Sequence, residues 1–169
     1  MTISLYDLSI PALLRGLTSM SAILDKAAAH AAAKKFDSIV FAQTRLFPDM
    51  HALSRQVQIA CDTAKGAAGR LAGIEVPKHE DTETTLPELK ARIEKTADFL
   101  KSVTAAQMMG DESRSIELKS ANGVLKFTAV GYLTDFVLPN FYFHASMVYA
   151  LLRKGGVEIG KRDFLGALQ

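Results

Sequence analysis

The chain has 169 residues, 49% of them hydrophobic and 22% charged, with 20 Lys and Arg against 18 Asp and Glu. That length and balance suit a single domain over 1–169 that buries roughly 70% of its unfolded surface, and they exclude a disordered or collagen-like chain. The basic residues are scattered, which argues against a nucleic-acid partner, and no run reaches the ~20 apolar residues of a membrane span. The start lacks the basic region of a secretory signal, so a cytoplasmic protein with no membrane partner is expected.

In chain order, Ile10, Leu13, Leu14, Leu17, Met20, Ile23 and Leu24 keep the spacing of one helix face and predict a first helix over 7–33, with Pro11 in its first turn. His30 falls in the Ala-rich end of this helix and is expected at the surface, near the negative end of the helix dipole. Pro48 and Asp49 suit a helix N-terminus. The stripe Met50, Leu53, Val57, Ala60, Cys61, Ala64, Ala68 and Leu71 then predicts a second helix over 49–72, closed by Gly73. Cys61 is the only cysteine, so no intrachain disulfide can form; a reducing compartment fits, and the thiol reads as a small buried hydrophobe. His79, among Pro77, Lys78, Glu80 and Asp81, reads as solvated. Thr85 and Glu88 form a capping-box pattern that opens a third helix over 86–107. From Ser115 the period changes to two, and Asn122-Gly123 is a tight-turn dipeptide, which predicts a β-hairpin over 115–127. The most apolar helix follows over 128–154 and stops at Gly155-Gly156, and the tail with Phe164 and Leu165 is expected to fold back over the helices. The fold class read from this pattern is all-α, an antiparallel four-helix bundle with a small β-hairpin before the last long helix.

Two polar residues interrupt the apolar stripe of the last helix. With helical spacing, Val130, Leu133, Val137, Asn140, Phe141, His144, Val148 and Leu151 share one face, and Asn140 and His144 stand one above the other on it. Buried polar groups need hydrogen-bond partners or a ligand, so these two are the leading site candidates. Pro139 removes a backbone donor and is expected to kink the helix beside them. Phe136, Phe141, Tyr142 and Phe143 read as packing, with Tyr142 a pocket candidate. On the second helix, Asp49 and Gln56 lie near the stripe's edge and could meet Asn140 and His144, Gln56 through its amide. His51 falls about 140° from the stripe's centre, toward solvent. No Ser-His-Asp order, phosphate-cradling loop or Cys-x-x-Cys motif is present, so no catalytic residue is assigned.

The Pro48-Asp49-Met50 opening, the Asn122-Gly123 pair, Leu138-Pro139-Asn140-Phe141-Tyr142-Phe143-His144, Leu151-Leu152-Arg153 before the Gly pair, and the closing Gly160-Lys161-Arg162-Asp163-Phe164-Leu165-Gly166 resemble the DinB/YfiT-like superfamily. Within it, the likeness is to a branch of uncharacterised bacterial DinB-related proteins, and it covers nearly the whole chain. The resemblance implies an up-down-down-up helical bundle, often dimeric. It also implies a divalent metal held by three histidines, one early in the second helix and a His-x-x-x-His pair in the fourth. Here His144 takes the second position of that pair and Asn140 the first, so the remaining ligand would come from Asp49 to His51. Relatives so implied include thiol-dependent transferases and metal-dependent hydrolases using an ion such as zinc, nickel or manganese. Two functions are therefore expected: a divergent metal-dependent enzyme, or a metal-free module that binds a small molecule or acts as a homodimeric structural or stress-response protein.

Overall fold

A computed structural model describes residues 3–110, 112–120 and 123–167. The described residues are mostly helical, with one two-stranded antiparallel hairpin. Helix α1 spans Leu5–Lys34. It starts two residues earlier than its apolar spacing suggests because Ser4 and Asp7 form a reciprocal cap, each side chain satisfying the other's backbone N–H. Pro11 accordingly sits in the second turn. A short helix α2, Ile39–Gln43, follows, unannounced by any periodicity.

Helix α3 is Leu53–Ala72 and begins four residues later than expected. Pro48, Asp49 and Met50 form a turn instead, in which the Met50 N–H donates to the Phe47 carbonyl, and the Leu53 N–H is then taken by Thr44. Helix α4, Leu86–Ser102, has the expected Thr85–Glu88 capping box. It ends sooner than expected because Val103 is extended and Thr104 caps a separate turn, α5, Ala105–Met108. Strands β1, Ser115–Ser120, and β2, Gly123–Thr128, pair from Ser115↔Thr128 to Ser120↔Gly123. Gly123, with φ of 123°, is thus the first residue of β2 and not the second residue of the turn; Ala121 and Asn122 lie outside the described residues.

The last long helix is not uniform. After α6, Ala129–Gly131, a π-helical stretch covers Tyr132–Val137, and only then does α7, Leu138–Lys154, begin. Pro139 lacks the N–H of a helical turn, and its ring crowds the carbonyl of Asp135; widening the preceding turns removes that clash. The expected kink is therefore taken up as a wide stretch, which changes the rotation per residue. That explains why Val130, assigned to the core face by uniform spacing, is exposed while Tyr132 is buried. Helix α8, Lys161–Leu165, packs on α1, joined to it by Lys26–Asp163 at 2.6 Å, and Phe164 meets the ring of Tyr149, so the tail folds back as expected.

Helix α3 lies deepest, packed on α7 and α4, while α1 contacts both α4 and α7 and reaches α3. Its buried Ala60, Ala64, Gly66, Ala67, Ala68 and Gly69 let neighbouring elements come close. Gly16 plays the same part on α1: a methyl group there would lie 2.4 Å from a ring carbon of the fully buried Phe141.

A second polar centre fastens the segment between α3 and α4. The Arg92 side chain is buried and pairs with Asp62 at 2.8 Å, Asp81 at 3.0 Å and Glu83 at 3.0 Å, and it also donates to the Glu80 carbonyl. Arg55 pairs with Asp81, and Lys65 donates to the carbonyl of Pro77. Burial opposes the charge on Arg92, yet Glu83 and Asp62 outweigh it and raise its pKa. His79 is half-buried beside this centre, contrary to the solvated position expected; burial, Lys65 and Arg92 lower its pKa. His30 also differs from expectation, half-buried with its ring edge-on to Phe36. Replacing Arg92 by Ala would leave Glu83 and Asp62 without their shared cation, so a loss of about 3–5 kcal/mol in chemical unfolding is expected, with a far smaller loss for exposed Lys101→Ala.

Candidate functional site

The site candidates meet at the α3–α7 seam. His144 projects from α7 with its Nδ1 2.6 Å from Oε1 of Gln56 on α3. Gln56 Nε2 donates to the backbone carbonyl of His51 at 3.2 Å, which orients the amide so that its oxygen faces the imidazole. An oxygen can only accept there, so Nδ1 carries the proton and Nε2 the lone pair. Two turns further along α3, Thr63 accepts a 2.7 Å bond from Asn140 Nδ2. Asn140 precedes His144 while Thr63 follows Gln56, so the two bonds run in opposite chain directions and α3 and α7 are antiparallel at this seam.

His144 is buried and Asn140 half-buried. Burial, with smaller contributions from nearby His51 and Arg55, pushes the His144 pKa down from 6.5 to about 4. The imidazole is therefore neutral at physiological pH. Cys61, on the same helix as Gln56, is fully buried, and its thiol is pushed up to about 12, so it is an unreactive core group as its place in the stripe suggested.

The other candidates lie apart. Asp49 is exposed in the turn before α3, and the His51 ring is exposed because His51 also precedes the helix; helical spacing therefore does not apply to it. What His51 does give the seam is its carbonyl. Tyr142 is partly exposed, edge-on to Phe141, and lines a small gap beside Gly16 and Ser19. Thr63 was missed by sequence reasoning, although its place seven residues after Gln56 sets both on one face of α3.

The donors available to a metal are few. His144 offers Nε2, Asn140 keeps only its amide oxygen after bonding Thr63, and His51 stands within electrostatic reach of His144. Among the described residues, no group of three or more His, Cys, Asp and Glu is arranged to hold a metal ion. These residues do not make up a three-imidazole site.

A family model described as Domain of unknown function (DUF1993) matches residues 5–165. The chain belongs to the DUF1993 family. It is also similar to a solved structure, a DinB family member protein from Shewanella denitrificans, with 41% identity and a TM-score of 0.91 over 97% of this chain and 93% of that one. A search of curated proteins finds no match. This DUF1993 chain is thus DinB-like in sequence family and fold, and among its described residues no helix is long and apolar enough to cross a membrane.

The depressed His144 pKa sets a pH window. The unfolded imidazole takes up a proton near pH 6.5 and the folded one only near pH 4, so stability contributed by neutral His144 is complete above 6.5 and is lost as pH falls toward about 4. Thermal unfolding should therefore weaken over that interval, by at most about 1.4 kcal/mol per pH unit from this residue. His144→Gln, which keeps a donor toward Gln56 without a titrating ring, should flatten the slope, leaving the part due to His79 and, toward pH 4, the part due to the hydrogen-bonded carboxylates Asp7, Asp81, Glu88 and Asp163.

Proposed function

We propose that this protein is a metal-free binding or structural module, an antiparallel four-helix bundle in which Asn140 and His144 are core hydrogen-bonding residues rather than ligands. One observation carries this reading: the 2.6 Å bond between His144 and Gln56, with Gln56 itself held by the His51 carbonyl. The interaction gives His144 Nδ1 and the Gln56 amide oxygen a partner inside the protein, and the neutral ring needs no counter-charge.

A second reading, a divergent metal-dependent enzyme of the thiol-transferase or hydrolase type, is favoured by one detail. A histidine that donates from Nδ1 presents its Nε2 lone pair outward, the orientation in which metal-bound histidines are held. Zinc, nickel or manganese would then use His144 with His51, the Asn140 oxygen or Asp49. Elemental analysis of the untagged protein, after exposure to all three ions, separates the two readings. The module reading expects no stoichiometric metal in the parent or in His144→Ala, and destabilisation of the variant by about 1–3 kcal/mol as Gln56 loses its partner. About one ion per chain, absent from the variant, would establish the enzyme reading.

We further infer a cytoplasmic homodimer. Support for assembly comes from exposed apolar side chains, Phe143 on α7 and Phe47 in the segment before α3, which a second copy would cover. Sedimentation at micromolar concentration should give twice the chain mass, and Phe143→Asp should give a monomer; a monomeric parent would remove the inference.

A further inference from the structure

We propose that the end of the molecule formed by segment 34–50 and the last turn of α7 docks on an anionic lipid surface. Helix α1 ends there and α3 begins just beyond, and because α7 runs antiparallel to α3 its C-terminus reaches the same end. The pieces touch: Lys154 Nζ donates to the Arg45 carbonyl at 3.4 Å, and a Cβ on Gly155 would lie 2.7 Å from a ring carbon of Phe41. Among the described residues no helix is long and apolar enough to cross a membrane, so the contact is with the surface of a bilayer.

The first observation is apolar. Thirteen large hydrophobic side chains are exposed among the described residues, and four of them, Phe36, Val40, Leu46 and Phe47, fall in this one connection, while the others are scattered singly or in pairs. Phe47 is 63% exposed and Val40 51%. The backbone that carries them is anchored, since Phe41 and Ala42 of α2 are buried and the Thr44 carbonyl accepts from the Leu53 N–H. Apolar groups held out to water on a fixed support mark a contact surface.

The second observation is charge. Lys34, Lys35, Arg45, Arg153 and Lys154 are all exposed at this end, and none has an ion pair among the described residues. The carboxylates of the same segments are Asp37 and Asp49, which leaves a local net charge of +3 where the whole chain has +2. Arg45 and Arg153 donate to the carbonyls of Met50 and Val157, bonds that hold the guanidinium groups without neutralising them. Lys34, Arg153 and Lys154 also suit the negative ends of their helices, but Lys35 has left helical geometry, with φ of 59°, and Arg45 belongs to no helix. A nucleic acid would match the cations and leave Val40 and Phe47 in water. An anionic bilayer takes both, with headgroups against Lys and Arg and acyl chains against the apolar side chains.

Flotation of the full chain with phosphatidylserine–phosphatidylcholine vesicles tests the proposal. The parent should float with these vesicles, less so as salt is raised, and stay unbound with phosphatidylcholine alone. The Lys34→Gln, Lys35→Gln, Lys154→Gln triple variant, altered only at exposed positions, should bind at least about tenfold more weakly. Val40→Ser with Phe47→Ser should lose binding at unchanged charge, and both variants should keep the parent's thermal unfolding. Phe47 also belongs to the inferred homodimer contact, but Phe143→Asp leaves every residue of this end intact and should still float. No binding to the anionic vesicles, equal binding to phosphatidylcholine, undiminished binding by either variant, or retention on heparin without vesicle binding would overturn the proposal. Metal content does not enter, so this surface and the reading of His144 stand or fall separately.

Discussion

The antiparallel contact between α3 and α7 is the constraint on which the rest of the molecule depends. Helix α3 is buried on most of its circumference, so whatever polar groups it carries must find partners inside the protein. Gln56 and Thr63 find them in His144 and Asn140. Apolar packing alone would tolerate sliding of one helix along the other; two hydrogen bonds in opposite chain directions permit one register. The same bonds reach back through the His51 carbonyl to the turn before α3, tying the start of that helix to α7.

The molecule holds a second polar centre of different character. Around Arg92, formal charges of both signs are brought together, and the cluster fastens the connection between α3 and α4. At the seam, by contrast, the groups are neutral, because burial suppresses protonation of His144. A charged network resists separation from its partners, while a neutral pair costs less to bury and gives direction rather than strength. That contrast fits a seam that sets geometry and a charged clasp that holds a connecting segment in place.

Much of the fold was legible in the sequence because long apolar stripes and local caps report themselves. Thr85 with Glu88 marked the start of α4, and Ile116 with Leu118 marked β1. What escaped were features set by the backbone's response to single residues. The wide turns before Pro139 displaced the core face from Val130 to Tyr132, and the Pro48 turn delayed α3, which changed the meaning of His51. Asn140 and His144 were visible as polar interruptions of an apolar face, and Gln56 as a neighbour. Which pairs with which depends on interhelical register, which no periodicity encodes. Arg92 was hidden for a related reason: a buried arginine is intelligible only once the carboxylates of a distant turn are seen to converge on it.

His144 is a neutral, Nδ1-protonated member of the core. Nitrogen chemical shifts of its imidazole, followed by NMR from pH 7.5 to 4, test this most directly. The expected result is a protonated Nδ1, an unprotonated Nε2 and no midpoint before about pH 4, unchanged when zinc is added. A proton on Nε2, or titration near the ordinary 6.5, would contradict it and return His144 to the solvent-facing chemistry of an exposed histidine.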